Sequence, residues 1–470
     1  MARSAIKQLI KSPLAYLCSQ GIKPTKFQQT ELGELIEQNE AITRQLIEFK
    51  HQRGRLSGQF KLVEKGSCEH QKLLSKMREL GQQSAPLELQ RKTIEKCLES
   101  WLEQFQTPSE PSSPTWFDAP QQHYQIHQFD VELLEHEQVE RSGWFDFAAK
   151  QGCAYHQLAV DSAIVQSFGL QRLVLLARDE QQQIIGGLPL YLLSSKLFGR
   201  FAVSIPYFNY GGPVSRCITV QRALLQQAAR LLQTHRLDFI EVRTIAPGLN
   251  AVVSEKKVSM VLELPNSFEQ LTVQLGAKLR AQVNKALVHR PQLEIGGIEL
   301  LDDFYRVFAE NMRDLGTPVY AKSWFANLLR VLQQRARLVV VYHQQKPVAV
   351  AFLLHHNEVM EVPWASTLRR ANPMNMNMWM YQQLLQYSLQ QGCRFFDFGR
   401  STKDAPTYRF KKQWGARAYQ HYWYTLLPEG AAAAELNPDN TKFKLVIRIW
   451  QMLPVWLTKL VGPLIIKNLP

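Results

Sequence analysis

The sequence has few cysteines, and neither they nor the histidines show a metal-binding spacing. None of the six cysteines forms a C-x-x-C pair, and the twelve histidines include no H-x-x-x-H pattern or Cys–His cluster. His355 and His356 are adjacent in a predicted strand and therefore face opposite ways. We expect no metal site, and a reducing, cytosolic setting in which the thiols are small core residues.

Long apolar runs and targeting signals are missing as well. No window contains about 18 uncharged apolar residues, so a membrane-spanning helix is not expected. The amino terminus lacks the charged region, apolar core and cleavage site of a secretory signal. These absences predict a cytoplasmic protein.

What the chain does have is length, apolar residues and positive charge. At 470 residues it is too long for one compact core, and the usual domain size predicts about three units. Apolar residues make up 45% of the chain, which is enough for packed interiors. The formal net charge of +14 indicates a surface that attracts a polyanion, whether nucleic acid, a phosphorylated substrate or anionic lipid.

The amino-terminal part has the spacing of two long helices. From Leu35 to Val63 the seam positions recur in alternating steps of four and three, and the pattern restarts at Leu73 after Gly66 and Ser67. This predicts an antiparallel coiled-coil hairpin with limbs of roughly 50 Å. Pro86 is expected to kink or interrupt the second limb.

This segment, Ile6 to Phe105 with its turn at 21–24, resembles the amino-terminal domain of seryl-tRNA synthetase. In that family the arm grips the long variable limb of its tRNA. The resemblance implies tRNA contacts by cations near the tip: Arg53, Arg55, Lys61 and Lys65. The alternative is a structural or partner-binding arm, because glutamates are interspersed among these cations.

Beyond a Pro/Ser-rich linker at 106–115, the same order of elements occurs twice. Each copy has a hairpin, a third strand, an amphipathic helix and a closing strand. The hairpins open with Arg-Leu-Val at Arg172 and Arg337, and the closing strands end at Arg243 and Arg400. The order predicts duplicated α+β domains, each a mixed sheet flanked by helices, with a cleft between them. Chance recurrence of common parts is the alternative.

Several motifs in this body carry a resemblance to a known family. They are Pro206–Pro213, Lys278–Arg280, Val362–Ser366, Phe396–Ser401 and Tyr408–Gly415. The body resembles the FemAB/FemX-like acyltransferases with the GNAT fold, and within them the exosortase-associated (PEP-CTERM) FemAB-like, BioF-type acetyltransferase subgroup. The resemblance implies tandem GNAT-like domains, 116–260 and 261–428, that transfer an acyl or aminoacyl group onto an amine or hydroxyl.

The end of the last closing strand is the candidate catalytic site. The strand reads Phe-Phe-Asp-Phe-Gly-Arg-Ser over 395–401, and polar groups at a strand end usually serve a ligand. Asp397 faces opposite to its phenylalanine neighbours, so its carboxylate is expected to point to the cleft as a base or to orient the acceptor. The alternative is a structural cap or a salt bridge to Arg400.

The following segment carries cations among aromatics. Strand-like alternation would put Arg409 and Lys411 on one face, opposite Tyr408, Phe410 and Lys412. In FemX-like enzymes the Phe-Lys position lies near substrate phosphates, so the resemblance implies that Lys411 stabilises a phosphate or a developing oxyanion. Asp397, Arg400 and Lys411 are expected to converge on one water-shielded hollow.

The motifs also supply substrate-binding candidates. They are Arg400, Ser401, Tyr408, Arg409, Trp414, Trp364, Ser366, Asn209, Tyr210, Gly211, Gly212, Lys278 and Arg280. Gly211 and Gly212 permit close backbone approach to a ligand, although their loop also fits a plain hairpin turn. Lys278 and Arg280 equally fit a solvated basic helix face.

The donor stays open between aminoacyl-tRNA and acyl-CoA, and no tightly bound cofactor is expected. GNAT enzymes hold the coenzyme A pyrophosphate on a Gly-rich turn, but residues 366–378 contain no glycine. This weighs against simple acetyl-CoA use, although Arg369, Arg370 and the helix start near Asn375 offer a phosphate site. The alternating Met and Asn residues there fit either an adaptable apolar wall or plain helix packing.

After a linker at 429–441, residues 442–470 mix cations with large apolar residues, including Trp450 and Trp456. Such short amphipathic pieces predict peripheral contact with the inner membrane face, and docking on the body is the alternative. The expected acceptor is a phosphorylated or lipid-linked saccharide or peptide of the cell envelope or exopolysaccharide. Rival interpretations are a non-catalytic tRNA-binding or scaffold protein and an acyl-CoA-dependent N-acetyltransferase.

Overall fold

The computed structural model describes residues 9–13, 17, 26–60, 63, 67–103, 114, 116, 128–195, 199–431 and 441–469. The side chains at 26–29, 31, 99–103 and 441–445 lie outside this description. The chain divides into two compact units, Met1–Ser112 and Ser113–Pro470.

The amino-terminal unit contains two long helices, α1 (Lys26–Phe60) and α2 (Cys68–Glu103). A buried apolar cluster joins Leu32 near the start of α1 to Leu98 near the end of α2, so the helices are antiparallel. The predicted helical hairpin is confirmed. The helix α2 continues through Pro86, so the interruption expected at this proline does not occur.

The cysteines differ between the two units. Cys68 and Cys97 on α2 are exposed, whereas Cys153, Cys217 and Cys393 in the second unit are buried. The prediction of core thiols is therefore right for the body and wrong for the arm, because a two-helix element leaves most of each helix surface in water. Three parts of the sequence analysis lie outside the described residues: Cys18, Gly66 of the predicted turn, and the linker 106–115 except Pro114.

The second unit begins with the elements of the first copy. Their bounds are β1 (Phe129–Glu135), α3 (Glu137–Arg141), α4 (Trp144–Gln151), α5 (Leu158–Phe168), β2 (Gln171–Asp179), β3 (Ile184–Ser195), β4 (Gly199–Val203), α6 (Ile218–Thr234), β5 (Phe239–Thr244) and β6 (Val252–Ser254). The turn between β2 and β3 is fixed by Asp179, whose Oδ1 accepts hydrogen bonds from the backbone N–H groups of Gln181 and Gln183.

The second copy and the tail follow. Their bounds are β7 (Lys257–Glu263), α7 (Phe268–Gln274), α8 (Ala277–Leu287), β8 (Gln292–Gly296), α9 (Leu301–Leu315), α10 (Lys322–Leu332), β9 (Ala336–His343), β10 (Lys346–His356), β11 (Val359–Thr367), α11 (Met376–Gln390), β12 (Phe395–Thr402), α12 (Pro406–Lys412), β13 (Arg417–Gln420), β14 (Tyr422–Leu426), α13 (Thr441–Met452) and α14 (Val455–Ile466).

The strands form two seven-stranded mixed sheets that exchange strands. The first sheet has the order β1-β2-β3-β4-β5-β14-β6, and the second has the order β13-β7-β12-β11-β10-β9-β8. The strand β14 follows the second copy in sequence but pairs antiparallel with β5 of the first sheet. Residues 257–260, expected in the first domain, belong to β7 and so to the second sheet. The exchange ties the two halves into one unit.

The two copies correspond element by element. The series β2, β3, β4, α6, β5 in the first half is repeated as β9, β10, β11, α11, β12 in the second. In both halves a helix connects two parallel neighbours, β4 with β5 and β11 with β12, as a crossover connection requires. The predicted α+β fold with two duplicated mixed-sheet domains is confirmed.

The segment after β12 is helical rather than extended. The helix α12 has proline in its first turn, where no backbone N–H is needed. The predicted alternation of faces over 408–412 is therefore wrong, since helical periodicity decides which residues are buried. Lys411 is buried, while Arg409 and Lys412 are exposed.

An aromatic core lies between the two halves. The rings of Tyr155 and Phe208 stack with centroids 4.1 Å apart, and Phe208 lies 5.9 Å from Trp324 of the second half. Phe325 and Phe352 extend the cluster into the second sheet. Large buried rings contribute much of the energy of such interfaces, so this packing holds the two halves together.

The tail packs on the body. Tyr207 Oη donates to the Lys467 carbonyl at 3.0 Å, and Arg313 Nη1 donates to the Leu453 carbonyl at 3.1 Å. A Cβ on Gly462 would lie 2.8 Å from the backbone nitrogen of Val319. The docked tail, which was the alternative, is thus what the structure shows. Of the helices in the described part of the chain, none combines the length and apolarity that a membrane span needs.

Candidate functional site

The candidate site lies where two middle strands of the second sheet part. The strands β11 and β12 pair in parallel only as far as Glu361 and Asp397. Immediately beyond, β12 is irregular, and Gly399 adopts φ +75°. A Cβ at Gly399 would lie 2.9 Å from the carbonyl oxygen of Val362, so both conformation and space require glycine there. The divergence leaves the last paired side chains at the start of a gap in the sheet.

Glu361 and Asp397 are a buried pair of carboxyl groups. Glu361 is 3% exposed and Asp397 is 0% exposed. Tyr155 Oη donates to Glu361 Oε1. Tyr210 Oη lies 3.3 Å from Glu361 Oε2 and 3.1 Å from Asp397 Oδ2. The first half of the body therefore supplies the hydroxyl groups, and the second half supplies the carboxyl groups.

The Tyr210 hydroxyl lies between the two carboxyl groups and has a single proton to donate. A hydroxyl donates a single hydrogen bond, so when Tyr210 donates to Asp397, the contact with Glu361 is satisfied by a protonated Glu361 that donates to Tyr210. The geometry fits one extra proton held along the chain Glu361, Tyr210 and Asp397. Such a chain transfers a proton between the carboxyl groups by exchanging its hydrogen bonds.

Burial raises the pKa of both carboxyl groups. For Glu361, desolvation and then the Asp397 charge raise the pKa well above its ordinary value. Desolvation also raises the pKa of Asp397, to about 6, against the opposing effects of the Gly399 N–H and of Lys411. The Gly399 N–H donates to Asp397 Oδ1 at 2.7 Å. The pair therefore holds a proton to higher pH than two exposed carboxyl groups would.

Lys411 binds the backbone at the irregular part of β12. Its Nζ donates to the carbonyl oxygens of Gly399 at 2.9 Å and Arg400 at 2.8 Å, and the side chain is buried. Desolvation lowers the pKa of Lys411 to about 8, although the Asp397 charge acts in the opposite direction. Lys411 is thus a cation close to Asp397 at pH 7 and loses its charge in mildly alkaline solution.

A second chain of hydrogen bonds leads away from Asp397. The Ser259 hydroxyl contacts the Asp397 carboxylate, and Ser259 Oγ lies 2.9 Å from His421 Nε2. His421 is fully buried, and desolvation lowers its pKa to about 3. The imidazole is therefore neutral at pH 7.

The structure confirms the face that was predicted for Asp397 and revises its partners. Phe396 and Phe398 lie in the apolar core with α11, while the carboxylate meets Tyr210. The expected convergence is partial, because Asp397 and Lys411 lie together but Arg400 is exposed. Among the described residues, no ion pair joins Asp397 to Arg400, whose guanidinium carbon lies 5.0 Å from the centroid of the Trp423 ring.

A cavity of about 70 Å³ borders Glu361 and Tyr210. Its walls include Trp116, Cys153, Tyr210, His356 and Glu361, which come from both halves. This is room for a few water molecules or a small functional group. A nucleophilic group in the cavity would meet Tyr210 and Glu361, while Asp397 is reached through them.

The other predicted residues of this region lie around β12. Ser401 and Trp414 are buried, and neither Ser401 Oγ nor Trp414 Nε1 has a hydrogen-bond partner among the described atoms. Trp414 packs near Phe398 in the core. Tyr408 is partly exposed on α12, and Arg409 is exposed beside it.

The loop over 207–213 enters the junction between the halves. The Asn209 side chain hydrogen-bonds to Glu361, and Tyr210 bridges the carboxyl pair. The close approach that Gly211 and Gly212 permit is to the protein itself. A Cβ on Gly212 would lie 2.7 Å from Thr244 Cβ, and a Cβ on Gly211 would overlap a buried isoleucine.

Residues around the end of β11 serve mainly packing. Trp364 lies 5.5 Å from Phe208 and is partly exposed, while Ser366 is buried with no partner for its Oγ among the described atoms. The arginines of the glycine-free turn form ion pairs, Arg369 with Asp314 and Arg370 with Glu310. Met376 and Met378 are buried in the second-half core, as plain helix packing predicts.

Other candidates lie elsewhere. Lys278 on α8 is exposed, and Arg280 Nη1 donates to the carbonyl of Leu275 at the end of α7. Arg53 and Arg55 are exposed on α1, while Lys61 and Lys65 lie outside the described residues. Among the described residues, no group of three or more His, Cys, Asp and Glu side chains is arranged to hold a metal ion.

Sequence reasoning missed four members of the network: Tyr155, Ser259, Glu361 and His421. Glu361 had a visible signal, since it is an acidic residue inside the otherwise apolar run 359–365 of β11. The other three had none, because hydroxyl and imidazole side chains are common throughout the chain.

A buried acid pair beside the parting strands of a GNAT-like sheet is suited to accepting a proton from an attacking nucleophile. Residues 277–421 match the acetyltransferase (GNAT) domain family, and this segment includes β11, β12 and α12. The prediction that the chain is an enzyme of the acyltransferase class is confirmed by this match. A comparison with curated proteins finds no match.

Solved structures with a similar course of the chain include FemX, which is 13% identical, with 62% of this chain and 97% of FemX covered at a TM-score of 0.46. A tandem GNAT protein from the clavulanic acid biosynthesis pathway is 15% identical, with 64% and 100% covered at a TM-score of 0.43. L-PGS from Bacillus licheniformis is 11% identical, with 59% and 88% covered at a TM-score of 0.38.

Proposed function

We propose that this protein transfers an acyl or aminoacyl group onto an amine or hydroxyl of a cell-envelope or exopolysaccharide precursor. The observation that carries the proposal is the buried chain of Glu361, Tyr210 and Asp397, which borders a cavity at the junction of the halves. The family match over 277–421 supports the acyltransferase class.

The chain of groups suits direct transfer. The acceptor nitrogen or oxygen attacks the donor carbonyl carbon and forms the new C–N or C–O bond. Tyr210 accepts the acceptor's proton while passing its own to Asp397. When the tetrahedral intermediate collapses, the bond to the donor's thiol sulfur or ribose oxygen breaks, and the pair returns a proton to that leaving group.

Lys411 suits this role in two ways. Its charge favours the anionic form of Asp397, which must accept the proton. Lys411 holds the backbone at Gly399 and Arg400 as well, so it positions the end of β12.

Two donors each have one observation in their favour. Domains of the matched family typically use acyl-CoA, which favours a thioester. The helical arm with exposed Arg53 and Arg55 favours aminoacyl-tRNA, with serine as the first amino acid to test.

The test is a transfer assay on the purified full chain with acyl-CoA and with charged seryl-tRNA, each with an extract of envelope precursors. We expect one donor to be consumed only when the extract is present, and Asp397→Asn to stop its consumption. If neither donor is consumed, the proposal fails. Recovery of RNA with the full chain at moderate salt favours the tRNA donor, and its absence favours the thioester.

The scaffold alternative makes a different prediction in cells. A scaffold would keep its cellular phenotype in Asp397→Ala and Lys411→Ala variants that are present at normal levels. An enzyme would lose it in both. Western blotting of the variants controls for their amount.

The tail supports a lipid-linked acceptor at the inner face of the cytoplasmic membrane. Its outward residues are strongly exposed: Met452 by 84%, Trp456 by 67%, Leu460 by 65% and Leu464 by 59%. The last three are spaced by four on α14 and so form one row. Exposed Arg448 and Lys467 flank the row, a combination that fits an anionic bilayer surface.

This contact is tested without removing the docked helices. We expect the wild-type chain to float with vesicles that contain phosphatidylglycerol, and the double variant Trp456→Ser, Leu460→Ser to stay in solution. A matched control is Val273→Ser, Val288→Ser, which changes exposed apolar residues elsewhere on the body. If the wild-type chain fails to float, membrane contact through the tail is excluded.

A further inference from the structure

We infer that Arg243, Arg400 and Trp423 form a binding site for a diphosphate group carried by one of the substrates. The inference rests on the proposed function for the reaction that the bound molecule enters.

The strand exchange brings the three side chains together. The guanidinium carbons of Arg243 and Arg400 lie 4.6 Å and 5.0 Å from the centroid of the same Trp423 ring. Arg243 belongs to β5 of the first half and Arg400 to β12 of the second, while Trp423 lies on the crossing strand β14. Two cations on one indole repel each other unless an anion joins them.

The cluster has more positive than negative charge. Arg243 is buried and bound to Glu241 at 2.7 Å. Among the described residues, no carboxylate lies within ion-pair distance of Arg400, which is exposed. Burial and, to a smaller extent, the nearby charge of Arg400 lower the pKa of Lys257. Lys257 Nζ donates to Thr402 Oγ1 at 2.7 Å. Three cations thus face one carboxylate, which suits a ligand with two negative charges.

Nearby buried polar atoms also lack partners. Trp423 Nε1, His421 Nδ1 and Ser401 Oγ have no hydrogen-bond partner among the described atoms. Ser401 is 3% exposed and pairs with Val258 on the core side of β12, opposite to the face of Arg400. His421 is 0% exposed and lies two residues before Trp423. Buried donors normally have partners, so a bound acceptor of hydrogen bonds would supply the partner that Trp423 Nε1 lacks. His421 Nδ1 is not such a donor, because the neutral imidazole carries its proton on Nε2, which donates to Ser259 Oγ while Ser259 donates to Asp397.

The turn that holds a diphosphate in GNAT enzymes differs in this chain. The turn between β11 and α11 has no glycine, and its arginines Arg369 and Arg370 are held by Asp314 and Glu310. Arg400, in contrast, lies on the strand of Asp397, and its carbonyl is held by Lys411. A diphosphate on Arg400 is therefore anchored on the same strand as the carboxylate that accepts the proton.

The experiment is titration calorimetry of the full chain with inorganic pyrophosphate at low salt. We expect Arg400→Gln to weaken binding about 10- to 100-fold, because one charge-assisted contact is lost. Trp423→Leu should weaken it as well, and circular dichroism checks that both variants are folded. The matched control is Arg394→Gln, an exposed arginine whose guanidinium carbon lies 5.1 Å from the Phe395 ring but beside two carboxylates.

Unchanged affinity in Arg400→Gln, or an equal loss in Arg394→Gln, overturns the site. Two further ligands, coenzyme A and UDP-N-acetylglucosamine, distinguish donor from acceptor. Arg400-dependent binding of either one supports the site and assigns it. If pyrophosphate binds and both of these fail to bind, the site is for an adventitious ion only and the inference falls. Because binding is measured without transfer, an inactive protein that binds these ligands refutes the proposed function and leaves the site standing.

Discussion

The two copies in the body end their parallel strand pairs differently. In the first copy the last paired positions are Val203 and Glu241, and in the second they are Glu361 and Asp397. Glu241 is bound by Arg243 at 2.7 Å. Asp397 instead meets a second carboxyl group through Tyr210. The same place in a duplicated fold thus holds an ion pair in one half and a coupled acid pair in the other.

This difference suits the acids of the two halves to different roles. The acid in the first half is neutralised by Arg243 on its own strand, so it is not suited to accept a proton. The acids in the second half are desolvated and share a proton, which suits chemistry. Neither half is sufficient, because the hydroxyl groups of Tyr155 and Tyr210 come from the first half.

The largest effect is expected from neutralising the acid of the second half. Asp397→Asn should lower kcat about 10²- to 10⁴-fold, since the proton acceptor is lost. Its stability should not fall at pH 8. The raised pKa of Asp397 means that ionisation destabilises the folded state as pH rises through about 6, and asparagine has no such ionisation.

Steady-state kinetics and thermal unfolding at pH 8 measure both quantities. An active and destabilised Asp397→Asn variant would show that the residue is structural. Glu263→Gln, which changes an exposed acid of the same sheet, serves as the control.

The converse is expected in the first half. Glu241→Gln should lower the free energy of unfolding by about 3 kcal/mol, because it leaves the buried Arg243 without its anion. Once folded, the variant should keep most of its kcat, as measured below its unfolding temperature. A loss of kcat without a loss of stability would erase the contrast between the two halves.

The irregular end of β12 has no counterpart on β5. Gly399→Ala should cost about 2 kcal/mol more than Gly392→Ala in urea unfolding. Both glycines have positive φ, +75° and +73°, but only a Cβ at Gly399 meets a backbone oxygen, whereas Gly392 has open space. Equal costs would show that the Val362 carbonyl moves aside and that the bend is not fixed by this contact.

The smallest effect is a change in pH dependence. Activity should rise as Asp397 ionises near pH 6 and fall as Lys411 loses its proton near pH 8. Lys411→Met should move the acid limb to higher pH, because the lysine charge lowers the Asp397 pKa, and it should remove the alkaline limb.

Profiles of kcat/KM against pH for the residual activity test this. Lys412→Met is the control, since Lys412 is the exposed neighbour of Lys411 on α12. An identical shift in both variants would mean that the limbs reflect general charge and not the buried lysine.

Local patterns predicted the helical arm, the order of elements in both copies and the face of Asp397. These features follow from the spacing of apolar residues within short segments, because the backbone geometry of a helix or strand decides which residues share a face. The same approach failed over 408–412, because so short a segment does not distinguish the alternation of a strand from the periodicity of a helix. It also assigned 257–260 to the first copy, because the sequence of a strand does not show which other strands it pairs with.

By itself, the sequence determined a two-helix arm, a duplicated α+β body and an acid at the end of the last closing strand. The tertiary structure alone decided what that acid meets. Tyr210 precedes Asp397 by 187 residues and Tyr155 precedes Glu361 by 206. Contacts at such separations depend on how the two halves pack and exchange strands, and the desolvation that raises the pKa of these acids exists only once that packing is complete.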